Sequence, residues 1–152
     1  MQNCNVEKIK ILYKPISISF KEITLLSEEE YIKNRELISL MRGFWWLRSP
    51  GYYKFNATYV RSDGILYDFD VNDDRGGVRP ALKMQGRHDL IPGDKIRIAE
   101  YTFTVLHGDL VLCDTCIGTS MFDYESNNFE TSVIRKYLYN WAEENGIVFE
   151  KS

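Results

Sequence analysis

Two arginines sit where a charged side chain has few places to go. Arg48 falls in Trp45-Trp46-Leu47-Arg48-Ser49-Pro50-Gly51 and Arg79 in Gly77-Val78-Arg79-Pro80-Ala81-Leu82. A desolvated guanidinium without partners is strongly unfavourable, so neither run reads as a plain core strand. Such an arginine either binds an anionic or carboxylate ligand, or is clamped internally by carboxylates and aromatic faces. The cost of burying a charge unpaired favours the clamp, with Asp123 and Glu130 as candidate partners. Trp45 and Trp46 are neighbours, so a strand points them to opposite faces. Both are expected in the core of a two-sided sheet rather than on a stacking platform for a ligand.

The remaining chemistry-bearing groups are sparse. Cys113-Asp114-Thr115-Cys116 is a lone C-x-x-C, suited to half a zinc site or to a redox pair. With His88 and His107, the only histidines, a Cys₂His₂ site is arithmetically possible, but the spacing fits no standard module. A redox pair wants a helix start in a thioredoxin-like βαβ context, which is missing. Asp68, Asp70, Asn72, Asp73 and Asp74 form an acidic cluster. It lacks the turn glycine and closing glutamate of a calcium loop, so it reads as strand alternation running into a solvated loop. There is no G-x-S-x-G, no H-E-x-x-H and no glycine-rich phosphate loop. No catalytic residue, metal or cofactor is therefore expected.

The elements that must position these groups follow from length and pattern. The chain has 152 residues, 44% hydrophobic and 27% charged, which fits one domain over 1–152 with a real core. A net charge of −3, with both signs interspersed, argues against nucleic-acid binding. No apolar run approaches the roughly 18 residues of a membrane span. The first residues show no basic-then-apolar leader. Three cysteines do not make a disulfide framework, so a reducing, cytoplasmic setting is expected.

Residues 7–20 read as two strands broken at Pro15. Ser27 with Glu30 forms a capping box opening a helix toward Met41, with Gly43 as its stop. Strands follow at 44–47, 57–61 and 65–71, the last two joined across Asp63-Gly64. A strand at 78–84 holds an internal proline, which suits an edge or bulge. Further strands are expected at 95–98, 101–106 and 110–113. Val133, Ile134, Tyr137, Leu138 and Trp141 repeat at three- and four-residue steps, marking an amphipathic helix that Gly146 ends. Asn128, Thr131 or Ser132 would cap it. Two helices and about eight short strands without βαβ alternation give an α+β class with mainly antiparallel sheet.

The two arginine motifs resemble the WWLRSPG and GVRPAL signature of a domain family of unknown function in gut Firmicutes and their phages. ITLLSEEEY at 23–31 is similar to its helix start. Phe122-Asp123 followed by Ser132-Val133-Ile134-Arg135-Lys136-Tyr137-Leu138 is similar to its second helix. The resemblance covers roughly residues 23–84 and 93–141. It implies a C-type-lectin-like fold, related to the formylglycine-generating enzymes, with Trp45, Trp46, Arg48, Arg79, Asp123 and Arg135 as its structural signature. The two blocks stand in the reverse of the family's order, so the chain resembles a circular permutant whose connector at 85–93 joins the former ends.

The resemblance, with no catalytic constellation, implies a non-enzymatic binding protein of a phage or mobile element. It would engage a protein partner, and one concrete form is an inhibitor of a bacterial defence system. Tyr52, Tyr53 and Phe55, with Asn72 and Asp74 in the neighbouring polar loop, are the expected binding surface. The alternative is a small zinc- or thiol-dependent enzyme using Cys113 and Cys116.

Overall fold

Short alternating runs punctuated by Gly, Pro and Asp-rich turns make strands, and two capped segments make helices. The computed structural model describes residues 4–8, 16–85 and 89–150. Pro15 and His88 lie outside the described residues, as does part of the connector at 85–93. The strands are β1 (Cys4–Lys8), β2 (Ile16–Thr24), β3 (Trp45–Pro50), β4 (Asn56–Val60), β5 (Leu66–Asp70), β6 (Gly77–Val78), β7 (Ala81–Gln85), β8 (Lys95–Ile98), β9 (Tyr101–Val105), β10 (Leu110–Cys113) and β11 (Gly118–Thr119). The helices are α1 (Glu28–Asn34) and α2 (Val133–Glu144). The class is α+β, with sheets that are mostly antiparallel.

One set of strands runs β1-β2-β7-β10-β9-β8, and β8 returns to pair with β1, closing a barrel. That closure was not anticipated: the sequence suggested only flanked, short sheets. The second sheet has the order β11-β6-β3-β4-β5. Its β3–β6 contact, Trp45 beside Gly77, is parallel. The expected strand at 78–84 is therefore two strands. Pro80 cannot donate a ladder hydrogen bond, and the chain passes at Arg79-Pro80 from β6 in one sheet to β7 in the other.

The core lies in two clusters. One gathers Phe20, Leu82, Ile96, Phe103 and Val111 from the barrel with Trp46 and Phe122, and is covered by Ile134, Leu138 and Trp141 of α2. The other holds Trp45, Leu47 and Val60 with Leu26, Tyr31, Leu110 and Leu112. Trp45 and Trp46 thus face opposite ways, and both are buried, as strand alternation requires.

The Ser27–Glu30 capping box forms as expected, but α1 is shorter than its sequence suggests. It stops at Asn34 and passes through a 3₁₀ turn at Arg35–Leu37, well before Gly43. Asn34 is the cause. Its Nδ2 donates back to Glu30 O at 2.9 Å, and its Oδ1 accepts the His107 N–H at 2.8 Å. A buried side-chain amide that serves a neighbouring loop draws the chain out of helical register. α2 opens on Ser132, whose Oγ accepts the Arg135 N–H, while Asn128 caps a preceding 3₁₀ turn.

The two ends of the described chain meet on one strand. Cys4 pairs with Ile18, and Phe149 bridges Phe20 in parallel. Phe20 is already paired with Met84 on its other side. Both ends therefore lie along the edge of β2 opposite β7.

Candidate functional site

Arg79 is 1% exposed, and its partners are all neutral. Nε donates to Cys113 O at 2.7 Å, Nη1 to Ser39 O at 2.9 Å and Nη2 to Ser39 Oγ at 2.9 Å. The guanidinium also lies 4.8 Å from the Trp45 ring centroid. Burial pulls its pKa below the ordinary arginine value, opposed by Cys116 and Asp114 nearby. No ion pair reaches it among the described residues; the Asp114 carboxylate bonds Lys95 Nζ and the Thr104 hydroxyl instead.

Arg48 is clamped by a carboxylate, but not by either expected one. Nη1 donates to Glu30 Oε1 and to Leu25 O, both at 2.7 Å, and Nη2 to Glu30 Oε2 at 3.2 Å. Burial pushes the Glu30 carboxyl up, but Arg48 and the Ser27 amide outweigh it and hold the carboxyl below its ordinary range. Asp123 instead accepts the N–H groups of Val133, Ser126 and Glu125, fixing the approach to α2. Glu130 lies 3.6 Å from Arg135, whose guanidinium covers the Tyr139 ring at 4.7 Å. Sequence reasoning overlooked Glu30 because its capping role already accounted for it.

The glycines beside these arginines are sites of close approach. A Cβ on Gly76 would lie 2.0 Å from Trp46 Nε1, and one on Gly77 would lie 2.6 Å from Cys116 Sγ. Trp46 Nε1 donates to Ser120 O at 2.9 Å. The motif glycines thus let the chain pass flat against an indole and a thiol.

Cys113 is buried and Cys116 half-buried. Burial pushes both thiols up, with Arg79 opposing, so neither is held as a ready thiolate. Cys116 lines a cleft of about 230 Å³ with Met41, Arg42, Phe44 and Arg75. The described residues contain no group of three or more His, Cys, Asp or Glu side chains able to hold a metal. Three acids of the 68–74 cluster are occupied individually. Asp68 accepts the Tyr52 N–H at 2.6 Å, Asp70 the Asn56 side chain at 3.0 Å, and Asp73 pairs with Arg75.

The predicted surface residues do come together. Tyr52, Tyr53 and Phe55 are 84%, 56% and 48% exposed in the β3–β4 loop. Tyr53 stacks on Phe55 at 5.5 Å with an interplanar angle of 5°, and Tyr52 meets Tyr53 edge-on at 4.7 Å. The Val71 N–H bonds Phe55 O at 2.9 Å, which brings the exposed Asn72 and Asp74 beside this loop. Asn127 braces it from a third segment, donating to Tyr53 O and Asn56 O. Sequence reasoning missed the aromatic face of β5. Tyr67 and Phe69 are exposed and lean on the half-buried Tyr59. The alternation of residues 67 and 69 was the signal available for it.

The molecule is thus an α+β protein with two mostly antiparallel sheets braced at their junction by a buried arginine. Residues 19–86 match the model of a domain of unknown function (DUF6273), a stretch that contains both arginine motifs. No curated protein and no solved structure matches the chain. Among the described residues no helix is long and apolar enough to cross a membrane.

Proposed function

We propose that the chain is a non-enzymatic binding domain that engages a protein partner through the loop at 52–56 and the adjoining loop at 72–76. The observation that carries this reading is the Tyr52–Tyr53–Phe55 cluster. Three neighbouring aromatics held in mutual contact yet exposed at 84%, 56% and 48% contribute nothing to the core. Rigid aromatic anchors of this kind carry much of the affinity in protein interfaces. A C-type-lectin-like scaffold in permuted order is part of the proposal, supported by the paired motifs and by chain ends that meet on β2. So is a cytoplasmic role in a phage or mobile element, as an inhibitor of a bacterial defence system. Affinity capture from a host lysate tests the surface. The Tyr52→Ala, Tyr53→Ala double variant, with unchanged thermal melting, is expected to lose a partner that the unmodified chain retains. Undiminished capture would remove the loop from consideration.

A further inference from the structure

Strand β5 is the outer member of its sheet and has a neighbour on one side only among the described residues. The Arg61 N–H bonds Ile65 O and the Val71 N–H bonds Phe55 O, each at 2.9 Å. In an antiparallel ladder the bonded and non-bonded pairs alternate. Residues 65, 67, 69 and 71 therefore bond inward to β4. Leu66 and Asp68 turn both N–H and C=O outward, and Asp70 turns its N–H outward while its C=O accepts the Asp73 N–H at 3.1 Å. The edge carries no proline, and its only charged side chains are Asp68 and Asp70, which guard it against an acidic strand and not against a basic one.

Chemistry on the two faces selects what could pair there. Tyr67 and Phe69 give one face an exposed aromatic surface. On the other face lie Asp68 and Asp70. Beside them a cleft of about 380 Å³ is lined by Glu28, Asp68, Thr58, Tyr52 and Tyr67, with no basic side chain. The carboxylates of Glu28 and Asp68 with the Tyr52 phenol ring make a receptor for an ammonium or guanidinium group. A second copy of the chain is disfavoured, because the antiparallel registers that pair the whole strand oppose Asp68 to Asp68 or Asp70, an unfavourable like-charge contact.

We infer that β5 accepts an extended peptide segment as an added strand, with Lys or Arg at alternate positions facing Asp68, Asp70 and Glu28, and apolar residues facing Tyr67 and Phe69. This rests on the protein-binding reading and names the partner's chemistry.

The test uses the full chain and a synthetic octapeptide of alternating Lys and Val, with a Glu/Val octapeptide as comparison. Backbone amide spectra and hydrogen exchange report on each residue. The lysine peptide is expected to shift and protect the amides of Leu66, Asp68 and Asp70, and the glutamate peptide to leave them unchanged. Asp70→Pro removes an outward N–H and no backbone bond to β4, though it forfeits the bond from the Asn56 side chain; with the other amide resonances of β4 and β5 unmoved, it should abolish the effect. Asp68→Asn, which keeps an acceptor for the Tyr52 N–H, should weaken binding up to about fivefold, as expected for an exposed ion pair. Free exchange of those three amides at saturating lysine peptide would overturn the inference. So would equal binding of both peptides, or concentration-dependent dimerisation that protects the same edge. If Tyr52 and Tyr53 govern partner capture while the lysine peptide leaves the edge untouched, the edge inference falls alone. If the peptide docks on β5 while partner capture ignores those tyrosines, the loop reading falls alone.

Discussion

Replacing Arg79 separates two reasons for burying an arginine. If its positive charge were what matters, lysine would substitute; if its fork geometry matters, lysine would fail. The structure supports geometry. Nε and Nη1 serve two carbonyls from different segments, Cys113 O and Ser39 O, while the ring of Trp45 lies 4.8 Å away. Arg79→Met orphans the carbonyl of the buried Cys113, at about 1–3 kcal/mol, leaves the carbonyl of the exposed Ser39 to water, and removes a desolvated cation–π contact of about 2 kcal/mol. Set against this is relief from burying a charge with no carboxylate partner, worth a few kcal/mol. The net expectation is a loss of about 1–2 kcal/mol, a sizeable share of the roughly 5–15 kcal/mol of a typical domain. Arg79→Lys keeps the desolvation cost, yet a single ammonium replaces a planar five-donor fork. It is expected to cost at least as much as methionine. Urea unfolding followed by tryptophan fluorescence measures both, because Trp45 lies directly against the guanidinium. Wild-type stability for Arg79→Lys, or a loss under about 0.5 kcal/mol for Arg79→Met, well below the cost of one orphaned carbonyl, would refute the bracing role.

Two further outcomes follow from the same geometry. Glu30 has its pKa held below the ordinary 4.5 in the folded chain, so the unfolded chain binds its proton more readily. Its stabilisation is therefore complete above the unfolded value and is lost as pH falls through 4.5 and then through the lower folded value. Glu30→Gln should flatten the acid limb of a stability-versus-pH curve, and an unaltered limb would exclude Glu30 as a contributor. Gly76→Ala would place a Cβ 2.0 Å from the buried Trp46 indole, whereas Gly43→Ala meets nothing within 4 Å. The first should cost about 3 kcal/mol or more, at the upper end of overpacking, and the second should be nearly neutral; equal melting temperatures would contradict this packing.

Much of the local structure was legible because it depends on near neighbours in sequence. Ser27 and Glu30 announce their capping box three residues apart, and the period of Val133 to Trp141 writes α2 directly. What escaped depends on contacts between distant segments. Asn34, where α1 ends, is tied to the backbone N–H of His107, 73 residues away. The clamp expected for both arginines was one of carboxylates, yet Arg79 is held by carbonyls and a hydroxyl; carbonyls of Leu25, Ser39 and Cys113 leave no trace in residue type. Barrel closure was invisible for the same reason: the β1–β8 pairing has no local signal. The aromatic loop was legible as a surface because Tyr52, Tyr53 and Phe55 sit between Pro50-Gly51 and Asn56, where no strand period can bury them.

The span of the family match bears on what is a folding unit. Residues 19–86 include β3 to β5 and both arginines, yet their polar groups are completed from beyond that span. Cys113 O takes Arg79 Nε, Ser120 O takes the Trp46 indole, and Asn127 holds the Tyr53 turn. β7 needs β10 on its second side, and β6 needs β11. A fragment of residues 19–86 would expose two sheet edges and leave a buried guanidinium half satisfied. It should not fold alone. In this chain the segment 89–150 supplies the groups that complete the braced junction.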